Sequence, residues 1–160
     1  MPAFDASSII HAWDNYPPEQ FPGLWEWMGE QTESGELVIL NVAFDEVLRR
    51  LPDCSNWLDD HGIQKMTITN ETLQIALVIN GLLGIENDKY HNNGVGENDI
   101  FIIASAKEHR QELVSNENRQ NNLPNDMKKY KIPAVCNLRD VDVTCLNFLE
   151  FIRKSRAVFR

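Results

Sequence analysis

Cysteine is scarce in this 160-residue sequence: Cys54, Cys136 and Cys145 are all there is. Three thiols cannot build a disulfide framework and leave one unpaired, so a reducing compartment, the cytoplasm, is expected. Long hydrophobic runs are missing. A stretch such as Ile75–Ile79 falls far short of the ~20 residues a membrane helix needs. The opening Met-Pro-Ala-Phe-Asp has no basic segment and no long apolar segment behind it, so no secretory leader is expected. Repeats and low-complexity tracts are absent. No two of His11, His61, His91 and His109 stand at ligand spacing with a Cys or acid partner, which speaks against a zinc site. Cys136 and Cys145 have no evident His partner for nucleophilic catalysis and read as core residues on adjacent buried elements.

Positive charge is also short. There are 15 Lys and Arg against 24 Asp and Glu, a net charge of −9, which looks hostile to nucleic acid. The deficit is not uniform. Residues 1–118 hold 6 basic and 20 acidic side chains, whereas residues 119–160 hold 9 basic and 4 acidic ones. That split fits either ordinary surface charge or carboxylates gathered round a cation with a basic rim facing an anionic substrate. With 42% hydrophobic and 24% charged residues the chain reads as globular, and 160 residues make one domain, 1–160, able to bury a core without staples.

Apolar periodicity and breakers give the element order. An extended run begins at Phe4 and turns into a helix ending near Asn15, where Tyr16-Pro17-Pro18 breaks it. Phe21, Leu24, Trp25 and Met28 recur at helical spacing as far as Gly35. Leu37–Leu40 reads as a strand. Asn41 can cap a helix carrying Phe44, Val47, Leu48 and Leu51, and Pro52 closes it. A short helix with Trp57 and Leu58 stops at Gly62, and Lys65–Thr69 reads as a strand. Asn70 can cap a helix through Leu83, stopped by Gly84. Residues 86–98 read as a loop, Ile100–Ala106 as a buried helix, Leu113-Val114 as a strand and Asn116–Asn125 as a surface loop. Ala134–Leu138 and Val141–Val143 read as strands, and Leu146–Ile152 as the last helix. Short apolar strands alternating with helices predict an α/β domain with a mostly parallel sheet.

Four acids lie where apolar segments fix their position: Asp5 after Phe4, Glu46 among Phe44, Val47 and Leu48, Asp99 ahead of Ile100–Ala106, and Glu117 just past Leu113-Val114-Ser115. Singly, each has a structural explanation, such as a helix cap at Asp99. Together, at the carboxyl ends of parallel strands, they would repel one another, and a hard divalent cation with oxygen ligands would relieve that.

Asp5-Ala6-Ser7 resembles the opening Asp-x-Ser/Asn motif of PIN domains. Glu46 resembles their second acid, Asp99-Ile100-Phe101-Ile102-Ile103-Ala104-Ser105-Ala106 is similar to their Asp-x-x-Ile-x-Ala-x-Ala helix, and Val114-Ser115-Asn116-Glu117 resembles their Val-Thr-x-Asp/Glu motif. The order covers nearly the whole chain. Tyr16-Pro17-Pro18, Phe21–Trp27 and Lys131–Cys136 resemble a bacterial PIN-like subfamily found in toxin–antitoxin loci. The resemblance implies a PIN-type three-layer α/β/α fold and a Mg²⁺- or Mn²⁺-dependent ribonuclease that hydrolyses phosphodiester bonds. Asp5, Glu46, Asp99 and Glu117 would be its metal-binding and catalytic residues. An RNA substrate, a cognate antitoxin protein and a homodimer are the implied partners, and no membrane is. The alternative is an inactive PIN-like module that binds RNA or a protein partner.

Three further groups are candidates. Ser7 can hydrogen-bond a carboxylate or act as a helix cap, with Ser8 competing for the cap, and Ser115 can support a carboxylate. Lys128, Lys129 and Lys131 form a basic run that reads as a solvated turn or as contacts to an RNA backbone. Trp13, Trp25, Trp27 and Trp57 read as core, although Trp25 and Trp27, two apart on a helix, cannot face the same way, which leaves one for a partner surface.

Overall fold

The computed structural model describes residues 1–160. Five short strands form one all-parallel sheet: β1 (Ala3–Phe4), β2 (Val38–Leu40), β3 (Gln64–Met66), β4 (Leu113–Val114) and β5 (Cys145–Leu146). Their order across the sheet is β3-β2-β1-β4-β5. The chain therefore winds outward from β1 through β2 to β3, then crosses back and winds the other way through β4 to β5. Parallel neighbours require crossovers, and right-handed crossovers in opposite directions place helices on opposite faces.

The helices α1 (Ala6–Asn15), α2 (Pro22–Glu33), α3 (Asn41–Arg50) and α4 (Pro52–Asp60) cover one face, and α8 (Phe148–Ser155) returns to pack beside α1. The other face carries α5 (Asn70–Leu83), α6 (Glu97–Glu108) and α7 (Ile132–Cys136). The result is a three-layer α/β/α domain round one apolar core. Phe4, Val38, Ile39, Leu113 and Val114 are buried at its centre, so the three central strands β2, β1 and β4 are apolar throughout, as strands covered on both faces require, whereas the edge strand β3 carries Gln64 and Lys65.

The indoles divide between two packing sites. Trp13, Trp25 and Trp57 meet edge-on with centroids 5.0–6.5 Å apart, between α1, α2 and α4. Trp27, on the other side of α2, packs on Phe151 of α8 and on Phe159. Neither Trp25 nor Trp27 is a bare partner surface.

Several boundaries differ from the sequence expectation. Ala134–Leu138 is not a strand: Ile132–Cys136 forms α7, with Pro133 in its first turn, where a fixed φ and a missing N–H suit a helix start. Val141–Val143 is not paired either, and the edge strand is Cys145–Leu146, followed directly by α8. The third strand is Gln64–Met66 rather than Lys65–Thr69. The cap of α5 is Thr69, one residue before Asn70. Its hydroxyl accepts from the Thr72 N–H in a capping box, and both threonine hydroxyls donate to Glu108 at 2.6 Å. Asn41 lies inside α3, with Leu40 at the cap position.

Candidate metal centre

The strand order reverses between β1 and β4, and in open parallel sheets the crevice beyond the carboxyl ends at that reversal is where ligands bind. Asp5 and Ser115 are the first residues past the ends of β1 and β4. They are drawn together because the Asp5 N–H donates to Val114 O at 2.9 Å and the Ser8 hydroxyl bridges Asp5 O and Val114 O.

Asp5 is 2% exposed. Its Oδ2 accepts from the Ser7 hydroxyl at 2.6 Å and the Ser115 hydroxyl at 3.0 Å, while Oδ1 accepts no hydrogen bond from the protein. Ser7 thus serves the carboxylate rather than capping α1, and it also accepts the Asn116 N–H at 2.9 Å. Ser115 likewise accepts from the Glu117 N–H at 3.2 Å. Two hydroxyls therefore orient Asp5 and, through their second bonds, hold the loop that carries Glu117.

No basic side chain forms an ion pair with Asp5, Asp99 or Glu117; Glu46 alone meets one, Arg50 at 3.6 Å on the same helix. Burial pushes the Asp5 carboxyl up to about 6; the hydroxyls of Ser7 and Ser115 oppose this, and the charges of Asp99 and Glu46 add to it. Asp99 is also raised, first by burial and then by Glu117 and Glu46, against the Gly96 N–H and Lys131, which lower it. Each of the four acids thus lies within electrostatic reach of Asp5 or Asp99. Asp99 is not the cap of α6 but its third residue, reaching back to accept the Gly96 N–H at 2.9 Å. Glu46, in the second turn of α3, and Glu117, in the loop after β4, are half-buried at the rim.

As the side chains stand, no three acid, His or Cys groups are close enough to share a metal ion. The donor set itself suits a hard cation: carboxylate oxygens, a buried Asp with one oxygen free, and no thiol or imidazole among them. Two clefts of about 720 and 570 Å³ lie elsewhere and contain none of the four acids.

The basic run is placed by contacts that the sequence does not announce. Lys128 and Lys129 lie in a 3₁₀ turn, Met127–Lys129, and Lys131 opens α7 close enough to Asp99 to favour its charge. The Gln120 side chain clamps this segment, donating to Lys129 O at 3.1 Å and accepting the Lys131 N–H at 2.8 Å. From the other side Val95 N–H donates to Tyr130 O at 2.9 Å. Gly94 sits so close that a Cβ there would fall 1.8 Å from Lys128 O. The segment is thus held between the approach to α6 and the loop after Glu117.

These features define a class: a doubly wound α/β domain with an acidic centre at its topological switch point. The chain belongs to the family described as a domain of unknown function, DUF4411, which matches residues 3–159. No curated protein matches it.

Proposed function

We infer that the protein is a Mg²⁺- or Mn²⁺-dependent ribonuclease of PIN type, the toxin of a bacterial toxin–antitoxin pair. The observation that carries the nuclease reading is Asp5: a buried carboxylate at the switch point, unpaired with any base, with one oxygen free, with Asp99 and Glu46 in electrostatic range and with Glu117 in range of Asp99. A bound divalent cation would supply charge neutralisation for the phosphate and a water acidic enough to attack it. Asp5, Glu46, Asp99 and Glu117 would hold that cation. Ser7 and Ser115 keep the Asp5 carboxylate turned so that Oδ1 is free. Lys131, beside Asp99, and Lys128 and Lys129 behind it offer ammonium groups to the RNA backbone. The toxin role rests on the resemblance of the Tyr16-Pro17-Pro18, Phe21–Trp27 and Lys131–Cys136 blocks, and a neighbouring gene for a small helix-turn-helix protein would support it.

A second reading is a module that binds RNA or a protein partner without cutting. It draws on the apolar stripe that α5 leaves exposed, Leu73, Leu77 and Val78, where an antitoxin or a second copy of the chain would find apolar surface.

The deciding experiment combines melting with and without Mn²⁺ and RNA cleavage by the wild type and Asp99→Asn. A cation that binds only the native state at 100 times its Kd adds about 2.7 kcal/mol. The Asn keeps an oxygen for the Gly96 N–H, so the variant should fold with a melting temperature close to that of the wild type in EDTA. It should cleave on the order of 100-fold more slowly, the scale of a few kcal/mol of lost charge stabilisation. Full cleavage by the folded variant would reduce Asp99 to a helix-end contact. Absence of both cleavage and Mn²⁺ stabilisation in the wild type would leave the second reading.

A further inference from the structure

The cleft of about 720 Å³ runs along the free edge of β5, and both of its walls lead back to the acidic centre. One wall is the loop after β4, which reaches the cleft at Arg119, two residues beyond Glu117. The other is α7 and the turn behind it, which set out from Lys131. The Gln120 side chain ties the two together through Lys129 O and the Lys131 N–H. At the root of the loop, the Asn116 N–H donates to Ser7 and the Asn116 side chain accepts the Phe148 N–H at the start of α8. The lining runs against the charge of the molecule. The chain carries −9, yet the cleft has two guanidinium groups, Arg119 and Arg139, against one carboxylate, Asp142. Arg119 is bound to Glu150, whereas Arg139 is exposed and forms no ion pair. Asn121 and Asn137 are exposed too, and their side-chain amides make no hydrogen bond within the protein. Leu123, Pro133 and Leu138 add apolar surface. Free amides and a guanidinium are the groups that read base edges, and a guanidinium plane also stacks on an unstacked base. The volume lies within the roughly 300–1,000 Å³ of a small-ligand site, enough for a nucleotide.

We propose that this cleft seats one unpaired base of a single-stranded RNA, the nucleotide beside the phosphodiester held at the acidic centre, and that Asn121, Asn137 and Arg139 select it. The position of that phosphodiester rests on the ribonuclease reading above; the base seat rests on the cleft. A base in a duplex has its Watson–Crick edge occupied by its partner, so side chains lining a cleft cannot read it there, and the strand has to be single at this point. Each Asn offers one base edge a donor and an acceptor together, and Arg139 offers a fork of donors. That combination discriminates among bases, whereas lysines alone grip any backbone equally. Lys131, at the head of α7, takes the phosphate between the cut and the seated base. The loop and α7 are held at a fixed separation by Gln120, so the seat is built before RNA arrives.

The test mixes the full chain and Mn²⁺ with a random-sequence single-stranded RNA carrying thiouridine, irradiates it, and maps the joined peptides by mass. Attachment is expected within residues 119–123 or 137–139. The same RNA, sequenced after cleavage, should show a preferred base at one position beside the cut. The double variant Asn137→Ala, Arg139→Ala should reduce that preference at least about 5-fold and leave the Mn²⁺-induced rise in melting temperature unchanged. Asn121→Ala, on the opposite wall, should reduce it independently. Attachment only outside the cleft, no base preference, or a preference that these variants leave intact would overturn the proposal while the ribonuclease reading stood. Attachment in the cleft without any cleavage would support the base seat and overturn the ribonuclease reading. No attachment at all would overturn the seat. The wild-type mapping needs no variant, so a substitution that failed to fold would not rescue the proposal from a negative result.

Discussion

A carboxylate that is 2% exposed has to be held charged against its own desolvation, and Asp5 shows the cost in a carboxyl pushed from 3.8 to about 6. The folded state binds the Asp5 proton more tightly than the unfolded chain, so this residue makes stability fall as pH rises from about 4 to about 6. Above about 6 the penalty is fully present, and below 3.8 it is gone. A rise of about two units corresponds to a penalty on the order of 3 kcal/mol at neutral pH. Asp5→Asn should therefore be more stable than the wild type in EDTA at pH 7, by up to that amount, with the difference vanishing near pH 4. Urea denaturation at both pH values measures it. Taking the difference removes other acid-labile groups, such as Glu150, which the Asn147 N–H and Arg119 hold below its usual range. A destabilised variant at pH 7 would mean that the hydrogen bonds from Ser7 and Ser115 outweigh the buried charge. The positions of the acids were legible because each adjoins an apolar segment that fixes its place. The bonds that tie Ser7 to Asn116 and Ser115 to Asp5 were not, because they join residues 109 and 110 apart in sequence.

Elements long enough to show a period were readable: α1, α2, α3, α5 and α6 each carry an apolar face or a clear breaker. The failures are where the apolar run is too short to show a period at all. Ala134-Val135-Cys136 is compatible with a buried strand or a turn of helix, and only Pro133 near the start favours the helix. Strand β5 has two residues, so nothing in Val141–Leu146 marks which pair will join β4. Close approaches are equally silent in sequence, and two glycines make opposite tests. Gly94→Ala would drive a methyl into the Lys128 carbonyl and should cost about 1–3 kcal/mol or more, since backbone cannot move aside as a side chain can. Gly81 lies on the exposed side of α5 with nothing within 4 Å of a Cβ, and Gly81→Ala should add about 0.5–1 kcal/mol. Paired thermal melts give the sign of each, and a Gly94→Ala protein as stable as the wild type would release the Lys128–Lys131 segment from its assigned place.

For the whole molecule, the charge split acquires a location. The acidic 1–118 portion supplies Asp5, Glu46, Asp99 and Glu117, and the basic remainder brings Lys131 up to Asp99. If that segment lies along an RNA backbone, the Lys128→Glu, Lys129→Glu double variant should bind RNA more weakly and with a shallower salt dependence, by roughly one unit of log–log slope per lost phosphate contact. The Mn²⁺-induced rise in melting temperature should be unchanged. An unaltered salt slope would take these lysines off the RNA path.

The brevity of the sheet sets how much error the acidic centre tolerates. Strand β1 is two residues, about 7 Å of chain, and Asp5 follows it at once. A single residue inserted between Ala3 and Asp5 would shift that frame by half the strand and turn every later side chain to the opposite face before α1 begins. There is no slack in which to absorb it. The ten-residue stretch Asn116–Asn125, by contrast, contains no helix or strand and has exposed positions at which additional chain can loop out. Length variation should therefore be forbidden at the first strand of this fold and permitted a few residues beyond its fourth, although both segments border the same four carboxylates.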